Sequence, residues 1–361
     1  MQAINISSAV KIREMNESKK TIIITGVTGQ DGSNMADFLL STHKEGEIHV
    51  FGGARRVSVE NHDNIEHLEG NPNFSLINLD VTDSSCITRV VQDLKPDYFI
   101  NFAAQSFVGS SWDFPVQTFA TNATAVLDML EAIRLYNPSC RFYQAGSSEE
   151  FGDVEYSPQD ESHPPRPVSP YGASKVAARQ LVKVYRDSYG LFACCGLLFN
   201  HEGLRRGEEF VTRKITKGVA RIKRSMDLGE PFDPIQLGNI NSKRDWSDSE
   251  DFIRGVWLML NQDEPKDYVL SSNETHEISE FVTLAFEAAG ITGRWEGEGL
   301  EAKFANFQDI VLVEVNEDFY RPAEVNLLYG NSNKAREEIG WKPEISFPNL
   351  VKRMVLNDLE S

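Results

Sequence analysis

A glycine-rich turn between an apolar strand and an amphipathic helix constrains how this chain can fold. The segment TIIITGVTGQDGSNMADFLL begins with β-branched residues and then places Gly26, Gly29 and Gly32 at three-residue spacing. In a strand–turn–helix unit, the first glycine permits the tight turn, the second lets the backbone approach a pyrophosphate, and the third allows close helix packing. The start of the following helix, near Asp31, offers free N–H groups to an anion. The pattern predicts a dinucleotide-binding loop, with a purely structural turn as the alternative.

Strand and helix patterns alternate from about residue 20 to residue 200. The apolar runs HVFGG, FSLINLD, YFINFAA, RFYQAGSS and FACCGLLF are separated by helical stretches. Such alternation is typical of a parallel sheet covered by helices on both faces. We therefore predict an α/β fold: a Rossmann-type doubly wound parallel sheet with a smaller, discontinuous C-terminal substrate-binding lobe.

The length of 361 residues exceeds a single ordinary core and favours two units. Residues 1–20 precede the first strand and read as a flexible or locally docked extension. We assign residues 21–200, completed by parts of 236–275, to the nucleotide-binding domain. Beyond residue 200 the pattern becomes irregular, and residues 201–235 and 276–361 are assigned to the lobe.

Composition excludes several classes of function. The 36 basic and 54 acidic residues give a net charge of −18, spread along the chain, which repels nucleic acid and anionic membranes. Its four cysteines show no metal-ligand spacing, so we expect reduced thiols, a cytoplasmic location and no bound metal. No apolar run is long enough for a membrane span.

Tyr171 and Lys175 stand four residues apart in SPYGASK and therefore share one face of a predicted helix. A neighbouring ammonium, helped by an oxidised nicotinamide ring, favours the phenolate and makes the tyrosine a usable base near neutral pH. Such a pair makes sense beside a hydride acceptor. Because this spacing is common by chance, a surface helix is the alternative interpretation.

The run RFYQAGSSEEFG leaves a predicted strand at the same sheet edge and supplies hydroxyls and carboxylates. Ser147 with Tyr171 and Lys175 would suit an alcohol dehydrogenase or an epimerase. Glu149 adds a group that can remove a proton next to a newly formed ketone and assist loss of a hydroxyl, so elimination becomes possible. A solvated turn at Glu149 and Glu150 is the alternative.

The second predicted strand, EIHVFGGARR, ends in Arg55 and Arg56, where an acidic residue would select NAD. Paired guanidinium groups suit the 2′-phosphate of NADP, and NADP is therefore favoured over the alternative of two solvated arginines. Asp80 closes the third strand, where its carboxylate could lie near an adenine or simply open a turn. Residues 101–105 end the fourth strand at the edge where such sheets bind ligands.

From about Thr21 to Glu360, the chain resembles the GDP-mannose 4,6-dehydratases, extended members of the short-chain dehydrogenase/reductase group. The matching segments are ITGVTGQDGS, FYQAGSSEEFG, SPYGASK, LLFNHEGLRRGEEFVTRKIT, RDWSDSEDF and FYRPAEVNLLYGNSNKAREEIGWKPEI. Three positions depart from the usual family pattern: Ser147 replaces a threonine, Phe107 a histidine, and Cys195 an asparagine.

The resemblance implies an NADP-dependent enzyme that converts GDP-D-mannose to GDP-4-keto-6-deoxy-D-mannose, a precursor of GDP-L-fucose or GDP-D-rhamnose, within a homotetramer or homodimer. It implies four catalytic residues: Ser147, Glu149, Tyr171 and Lys175. The predicted cofactor-binding residues are Gly26, Thr28, Gly29, Gln30, Asp31, Gly32, Arg55, Arg56, Asp80, Ala103, Gln105, Tyr171 and Lys175. The predicted GDP-sugar-binding residues are Asn200, Lys214, Arg244, Arg321 and Glu324, with interdomain ion pairs as the alternative for the two arginines.

Two further hypotheses stay open at the level of sequence. One is a dehydratase, C4 oxidase or bifunctional reductase that acts on a related GDP-sugar such as a GDP-heptose, which residues at the C6 end of the sugar would decide. The other is a non-catalytic NADP-binding sensor or scaffold. Loss of Tyr171 or Lys175 would indicate the second, and both residues are present.

Overall fold

Seven parallel strands form the central sheet of this protein. The structure is a computed structural model that describes residues 1–58, 61–319 and 327–361. The strands of the sheet are β1 (Lys20–Thr25), β2 (Ile48–Ala54), β3 (Phe74–Asn78), β4 (Tyr98–Asn101), β5 (Arg141–Ala145), β6 (Ala193–Leu198) and β11 (Tyr268–Leu270). Their order is β11-β6-β5-β4-β1-β2-β3, with all neighbours parallel. The predicted apolar runs therefore form strands as expected, and the order changes direction between β1 and β4.

Helices cover both faces of the sheet, which confirms the predicted doubly wound α/β fold. Ile22 and Ile24 of β1 point into one core and Ile23 into the other, and all three are fully buried. Burial on both faces explains the continuous apolar run of this strand. One face is covered by α2 (Gln30–Thr42), α9 (Ser249–Leu260) and α11 (Asn333–Glu338), and the other by α1 (Ile6–Met15), α3 (Ser84–Leu94), α6 (Ala125–Tyr136) and α7 (Pro170–Tyr189).

The connection after β4 contains short helical pieces. These are α4 (Ser110–Asp113), α5 (Pro115–Phe119) and a π-helical turn over Ala120–Thr124 that leads directly into α6. Single 3₁₀ turns lie at Glu66–Leu68, Ser148–Glu150, Gly299–Glu301 and Glu317–Phe319. The turn at Ser148–Glu150 joins the end of β5 to the segment before α7, and it therefore lies at the carboxyl edge of the sheet.

The N-terminal extension is docked on the domain. Asn5 caps α1 through its side chain, which accepts a hydrogen bond from the Ser8 amide at 2.9 Å. Ile4 forms a parallel bridge with Ile77 of β3, and Ala9 is completely buried in the core beside α3. Of the two states expected for residues 1–20, the structure thus shows the docked one.

A separate hydrophobic core defines the smaller lobe. It is built from α8 (Val211–Leu228), α10 (Ile278–Ala288) and α12 (Phe347–Glu360) against a sheet of β13 (Gly293–Glu296), β14 (Lys303–Asn306), β15 (Val311–Val315) and β8 (Ile235–Leu237). Two small sheets lie between this lobe and the large domain. They pair β7 (Asn200–Glu202) with β10 (Trp246–Asp248), and β9 (Lys243–Arg244) with β12 (His276–Glu277) and β16 (Leu327–Leu328).

The chain crosses between the two units several times. After α8 it returns to the large domain in α9 and β11, and after the lobe sheet it returns again in α11. Ala335, Ile339 and Trp341 pack in the core of the large domain, and the Trp341 indole donates to the Asp251 carbonyl at 2.7 Å. The domain boundaries assigned from the sequence stay a prediction. Within the ranges that the structure describes, no helix combines the length and apolar character needed to cross a bilayer.

The close approach of Gly32 to the glycine-rich turn gives a testable expectation for stability. A Cβ at Gly32 would lie 2.3 Å from the Gly26 carbonyl oxygen, so Gly32→Ala forces two backbone segments apart. We expect a loss of about 3 kcal/mol or more in the free energy of unfolding, although alanine is the better helix former by about 1 kcal/mol. Urea denaturation measures the loss.

Gly46→Ala is the control, because a substitution at Gly46 strains the backbone but brings no atoms into contact. Its φ is +92° and nothing lies within 4 Å of its Cβ position, so only backbone strain of about 1–2 kcal/mol is expected. Equal losses in the two variants would show that the Gly26–Gly32 contact relaxes at little cost.

Candidate active site

A cleft opens between the carboxyl edge of the large sheet and the smaller lobe. The cavity in this cleft has a volume of about 570 Å³. Its sheet side is lined by Ala145, Ser147, Glu149, Tyr171 and Lys175, and its lobe side by Asn200, Lys214, Leu237, Arg244 and Phe319. Open parallel sheets bind ligands at this edge because a crevice forms where the strand order reverses, here between β1 and β4. The structure thus brings the four predicted catalytic residues into one cavity.

Tyr171 and Lys175 occupy the first turns of α7. Ser169 caps the helix by accepting a hydrogen bond from the Gly172 amide at 3.0 Å, and Pro170 occupies the first helical position. The Lys175 Nζ donates to the Ala145 carbonyl at 2.8 Å and lies 5.7 Å from the centroid of the Tyr171 ring. Both side chains are buried, and the lysine is tied to the end of β5.

Burial has the largest effect on both ionisable groups. It raises the pKa of Tyr171 to about 12, against a hydrogen bond with Ser147 and the charge of Arg206, which both lower it. Burial also lowers the pKa of the Lys175 ammonium, against neighbouring acidic groups that include Glu150. Tyr171 is therefore a neutral phenol near neutral pH in the protein alone, and a further positive charge is required to favour its phenolate.

The two adjacent glutamates after β5 have different environments. Glu150 is fully buried, and its carboxylate accepts from the Ser147 amide at 2.9 Å and lies 2.9 Å from the Arg179 Nε. Ser147 accepts from the Glu149 amide at 3.2 Å, which completes a capping box around the 3₁₀ turn. Glu150 thus holds the turn in place, whereas Glu149 is half-buried and lines the cavity. A solvated turn is the wrong interpretation for Glu150.

The glycine-rich turn has the geometry of an anion cradle. Gly26 has a φ of +69°, and a Cβ there would lie 2.8 Å from the Ala103 amide nitrogen. Gly29 is the N-cap residue of α2, and no side chain caps this helix. A Cβ at Gly29 would stand 3.3 Å from the Gly26 carbonyl oxygen and would narrow the space above the turn. These features fit a pyrophosphate held by backbone N–H groups.

The remaining predicted cofactor residues lie along the same edge. The Thr28 carbonyl accepts from the Asn64 side chain at 2.9 Å, and the Gln30 side chain donates to the His201 carbonyl at 3.1 Å. Gln105 donates through its backbone to Asn122 at 2.8 Å, and its own Oε1 is buried with no hydrogen-bond partner within the described residues. This acceptor is available to a ligand donor.

Arg55, Arg56 and Asp80 follow β2 and β3 at the carboxyl edge, and all three are exposed. Asp80 accepts from the Thr82 amide at 2.9 Å and from the Thr82 hydroxyl at 2.7 Å. Asp80 therefore opens a turn. A contact between its carboxylate and a bound adenine would be made in addition to these two hydrogen bonds. The two arginines continue β2 at the position where the 2′ group of a bound dinucleotide is read.

Three predicted GDP-sugar residues line the lobe side of the cavity. Asn200 begins β7, and its Oδ1 is buried with no hydrogen-bond partner in the part of the chain that the structure describes. The Lys214 Nζ lies 3.6 Å from the centroid of the Phe319 ring, and burial lowers its pKa. Arg244 lies in β9 and completes the group. Arg321 and Glu324 lie outside the described residues.

Arg206 and His201 line the cavity although the sequence analysis gave them no role. Arg206 lies over the Phe210 ring at 3.5 Å and pairs with Glu202 at 2.9 Å. His201 binds Asp31 at 2.9 Å across 170 residues of sequence. Both stand in the segment NHEGLRRGEEF, but only the tertiary structure shows what they contact. Within the described ranges, no group of three or more His, Cys, Asp or Glu side chains could hold a metal ion.

Solved structures with the same architecture include nucleotide-sugar enzymes. DesIV, the dTDP-glucose 4,6-dehydratase of Streptomyces venezuelae with NAD and TYD bound, superposes with a TM-score of 0.78 at 20% identity, covering 94% of this chain and 97% of that one. RMD of Pseudomonas aeruginosa, complexed with NADPH, gives 0.73 at 21% identity, with 95% and 99% covered. At such identities the likeness supports the fold, and it agrees with the predicted Rossmann-type architecture.

Sequence comparison is more specific. The family model described as GDP-mannose 4,6 dehydratase matches residues 23–354. GDP-mannose 4,6 dehydratase 2 of Arabidopsis thaliana is 43% identical over 354 residues, which cover 95% of this chain and 88% of the plant protein. The human GDP-mannose 4,6 dehydratase is 42% identical over 358 residues, with 96% and 93% covered. Similarity of this extent, over both the sheet and the lobe, shows that the chain belongs to the GDP-mannose 4,6-dehydratase family.

Proposed function

We propose that this protein is a GDP-mannose 4,6-dehydratase that uses NADP as a recycled cofactor and forms GDP-4-keto-6-deoxy-D-mannose, a precursor of GDP-L-fucose or GDP-D-rhamnose. One observation carries the proposal: Glu149 lines the same cavity as Ser147, Tyr171 and Lys175. A serine, a tyrosine and a lysine suffice for oxidation of an alcohol. The added carboxylate supplies the acid–base group that elimination of water needs.

Oxidation at C4 of the sugar begins with Tyr171. An oxidised nicotinamide would accept the hydride from C4, return it to C6, and contribute positive charge while oxidised. That charge, together with the Ser147 hydrogen bond, opposes the effect of burial on the phenol and favours the phenolate that takes the C4 hydroxyl proton. Lys175, held by the Ala145 carbonyl, keeps its ammonium beside the tyrosine ring.

Elimination is assigned to Glu149. Once C4 is a ketone, the proton on C5 becomes acidic, and a carboxylate within reach can remove it and then protonate the departing C6 hydroxyl. The 3₁₀ turn presents Glu149 to the cavity, while its neighbour Glu150 is held by Arg179 and the Ser147 amide. The rigid turn therefore positions the acid–base group relative to Tyr171.

The two nucleotides would occupy opposite ends of the cleft. The Gly26–Gly32 turn and the N-terminus of α2 suit the cofactor pyrophosphate, and Arg55 with Arg56 suits a 2′-phosphate. Structural neighbours named with NAD or NADPH support a nicotinamide cofactor. Lys214 and Arg244 offer local positive charge to the GDP pyrophosphate in a chain whose net charge is −18. Arg321 and Glu324 are assigned to the same nucleotide by family resemblance alone.

We also propose a homo-oligomer, either the dimer or the tetramer expected from the resemblance. Large apolar side chains that follow one another from α4 into α5 support it: Trp112 of α4 is 56% exposed, Phe114 between the two helices 58%, and Val116 of α5 82%. Exposed apolar clusters of this kind mark interaction surfaces.

Incubation with GDP-mannose in deuterated water, without added reductant, tests the proposed activity. The expected product has lost one water and carries one deuterium at C5, because the C5 proton exchanges with solvent, whereas the hydride passes internally from C4 to C6. Mass spectrometry and NMR of the nucleotide sugar measure both changes. An unchanged GDP-mannose, with turnover of a GDP-heptose instead, would reject the substrate assignment.

Glu149→Gln and Glu150→Gln separate a chemical role from a structural one. Glu149→Gln removes the acid–base capacity and keeps the size of the side chain, so we expect dehydration to fall by about 10³-fold or more. Glu150→Gln breaks a buried ion pair with Arg179 and should lower the free energy of unfolding by about 3 kcal/mol. Steady-state kinetics and urea denaturation measure the two effects. Normal turnover by Glu149→Gln would remove this residue from the mechanism.

Arg55→Ala combined with Arg56→Ala tests the choice of cofactor. Loss of charge-assisted hydrogen bonds to a 2′-phosphate should weaken NADP binding about tenfold or more, and NAD binding should change by less than about twofold. Fluorescence titration with each dinucleotide measures the affinities. Arg89→Ala, an exposed arginine on α3, is the matched control and should change neither. Equal losses for NADP and NAD would end the 2′-phosphate assignment.

A further inference from the structure

A buried ion pair links the two ends of the cleft. The Asp31 Oδ2 lies 2.9 Å from the His201 Nε2, and the side chains are only 23% and 13% exposed. Asp31 belongs to the first turn of α2, directly after the glycine-rich turn. His201 is the middle residue of β7, next to Asn200. The pair thus joins the proposed cofactor-binding end to the proposed sugar-nucleotide end, and both residues line the cavity.

The geometry determines the protonation state of His201. Its Nδ1 lies 2.7 Å from the Phe199 carbonyl oxygen, and its Nε2 lies 2.9 Å from the Asp31 carboxylate. Both neighbours are hydrogen-bond acceptors, and a neutral imidazole carries only one N–H. With Asp31 ionised, both contacts are satisfied only when both ring nitrogens are protonated. The ring is also fixed in orientation, since it stacks on Phe252 with centroids 4.7 Å apart and planes 19° from parallel.

The surrounding charges agree with an imidazolium. Burial and the charge of Arg206 both oppose it, but the Asp31 charge and hydrogen bond outweigh them and raise the pKa of His201. Burial by itself would raise the pKa of Asp31. The charge of His201 and its hydrogen bond outweigh burial, and the pKa of Asp31 is lowered. Because the folded protein raises the pKa of His201, the ion pair contributes its full share to the free energy of unfolding below the pH where an unfolded histidine titrates. This contribution is lost as the pH rises through the folded pKa of His201. The contribution of Asp31 to the free energy of unfolding is lost as the pH falls through the folded pKa of Asp31.

Additional contacts hold α2 against the segment that contains His201. The Gln30 side chain donates to the His201 carbonyl and to the Asp31 carboxylate, each at 3.1 Å. One turn further along α2, Arg205 donates to the Asn34 side chain at 3.1 Å and to the Asp37 carboxylate at 2.6 Å. The start of α2 and the residues after Asn200 thus form one continuous contact.

The same segment continues to the lobe. The Glu202 carboxylate is buried and accepts from the Thr212 hydroxyl at 2.5 Å, at the start of α8. Lys214 lies two residues further along that helix. A shift of β7 would therefore move both Asn200 and the N-terminus of α8 relative to the glycine-rich turn.

We propose that protonated His201, held by Asp31, is a positioning residue that couples binding of the dinucleotide to binding of the GDP-sugar. This inference rests on the proposed function. A pyrophosphate bound at the start of α2 immobilises Asp31, the ion pair then holds β7 in place, and Asn200 is presented to the second nucleotide. A site ordered by one ligand binds the other more tightly, and the effect is reciprocal.

Calorimetric titration of GDP, with and without saturating NADP, measures the coupling. In the natural protein NADP should tighten GDP binding about fivefold or more, the lower end of ordinary coupling between sites. His201→Asn and Asp31→Asn should each reduce this factor to near one while GDP still binds. The double variant should be no worse than either single variant, because both remove the same contact.

His67→Asn is the matched control. His67 forms a second histidine–aspartate pair with α2, through Asp37 at 2.6 Å, but it is 48% exposed and lies outside the cavity lining. The coupling factor should be unchanged in this variant. Thermal unfolding of each variant with and without NADP verifies that the fold is intact. An equal loss of coupling in His67→Asn would overturn the proposal.

Nitrogen NMR of histidine-labelled protein tests the charge state without any ligand. The His201 signals, assigned by their loss in His201→Asn, should show both ring nitrogens protonated at pH 7, and Asp31→Asn should lower the pH at which this state is lost. A neutral His201 at pH 7 would overturn the inference, as would GDP and NADP that bind the natural protein independently. If GDP does not bind the natural protein at all, the proposed function fails together with the inference.

Discussion

The burial of a parallel sheet on both faces is the constraint on which the rest of this structure depends. Helices cover both faces of the sheet, and all seven strands direct their carboxyl ends to the same edge. Side chains that follow β1, β4, β5 and β6 therefore meet in one cleft although they are far apart in sequence. The close contact of Gly26 with Ala103 shows how tightly this edge is packed. The smaller lobe forms the opposite wall of the cleft.

A buried carboxylate that takes no part in the proposed chemistry organises the reacting groups. Glu150 ties the turn after β5 to α7 through Arg179, while Lys175 ties α7 to β5 through the Ala145 carbonyl. These two contacts fix the helix that carries Tyr171 relative to the turn that carries Ser147 and Glu149. Burial in this rigid setting raises the pKa of Tyr171, so a positive charge beyond that of Lys175 is needed to favour its phenolate. The proposed oxidation is thereby linked to the presence of the cofactor.

The proposed coupling between the two nucleotides depends on the segment after β6, because this segment contacts both α2 and α8. The segment after β6 belongs to neither core entirely: Asn200 and Lys214 face the cavity, and His201 and Glu202 hold the segment to α2 and α8. To couple two ligand sites on separate units, a protein needs a connection that responds to the binding of either ligand. In the proposed coupling, that connection is the ion pair of Asp31 and His201 with its hydrogen bonds, which are strengthened because the pair is largely shielded from water.

The sequence by itself determined the class of fold, the position of the glycine-rich turn and the set of residues from which a site could be built. These are local properties: β-branched runs, glycine spacing, and a tyrosine and a lysine one helical turn apart. The family resemblance selected Glu149, but the sequence could not show that Glu150 is buried and paired with Arg179, because adjacent identical side chains differ only in what lies around them. Nor could the sequence pair Asp31 with His201, since 170 residues separate the two. The tertiary structure decided both, because burial, charge state and contact depend on which distant segments pack together.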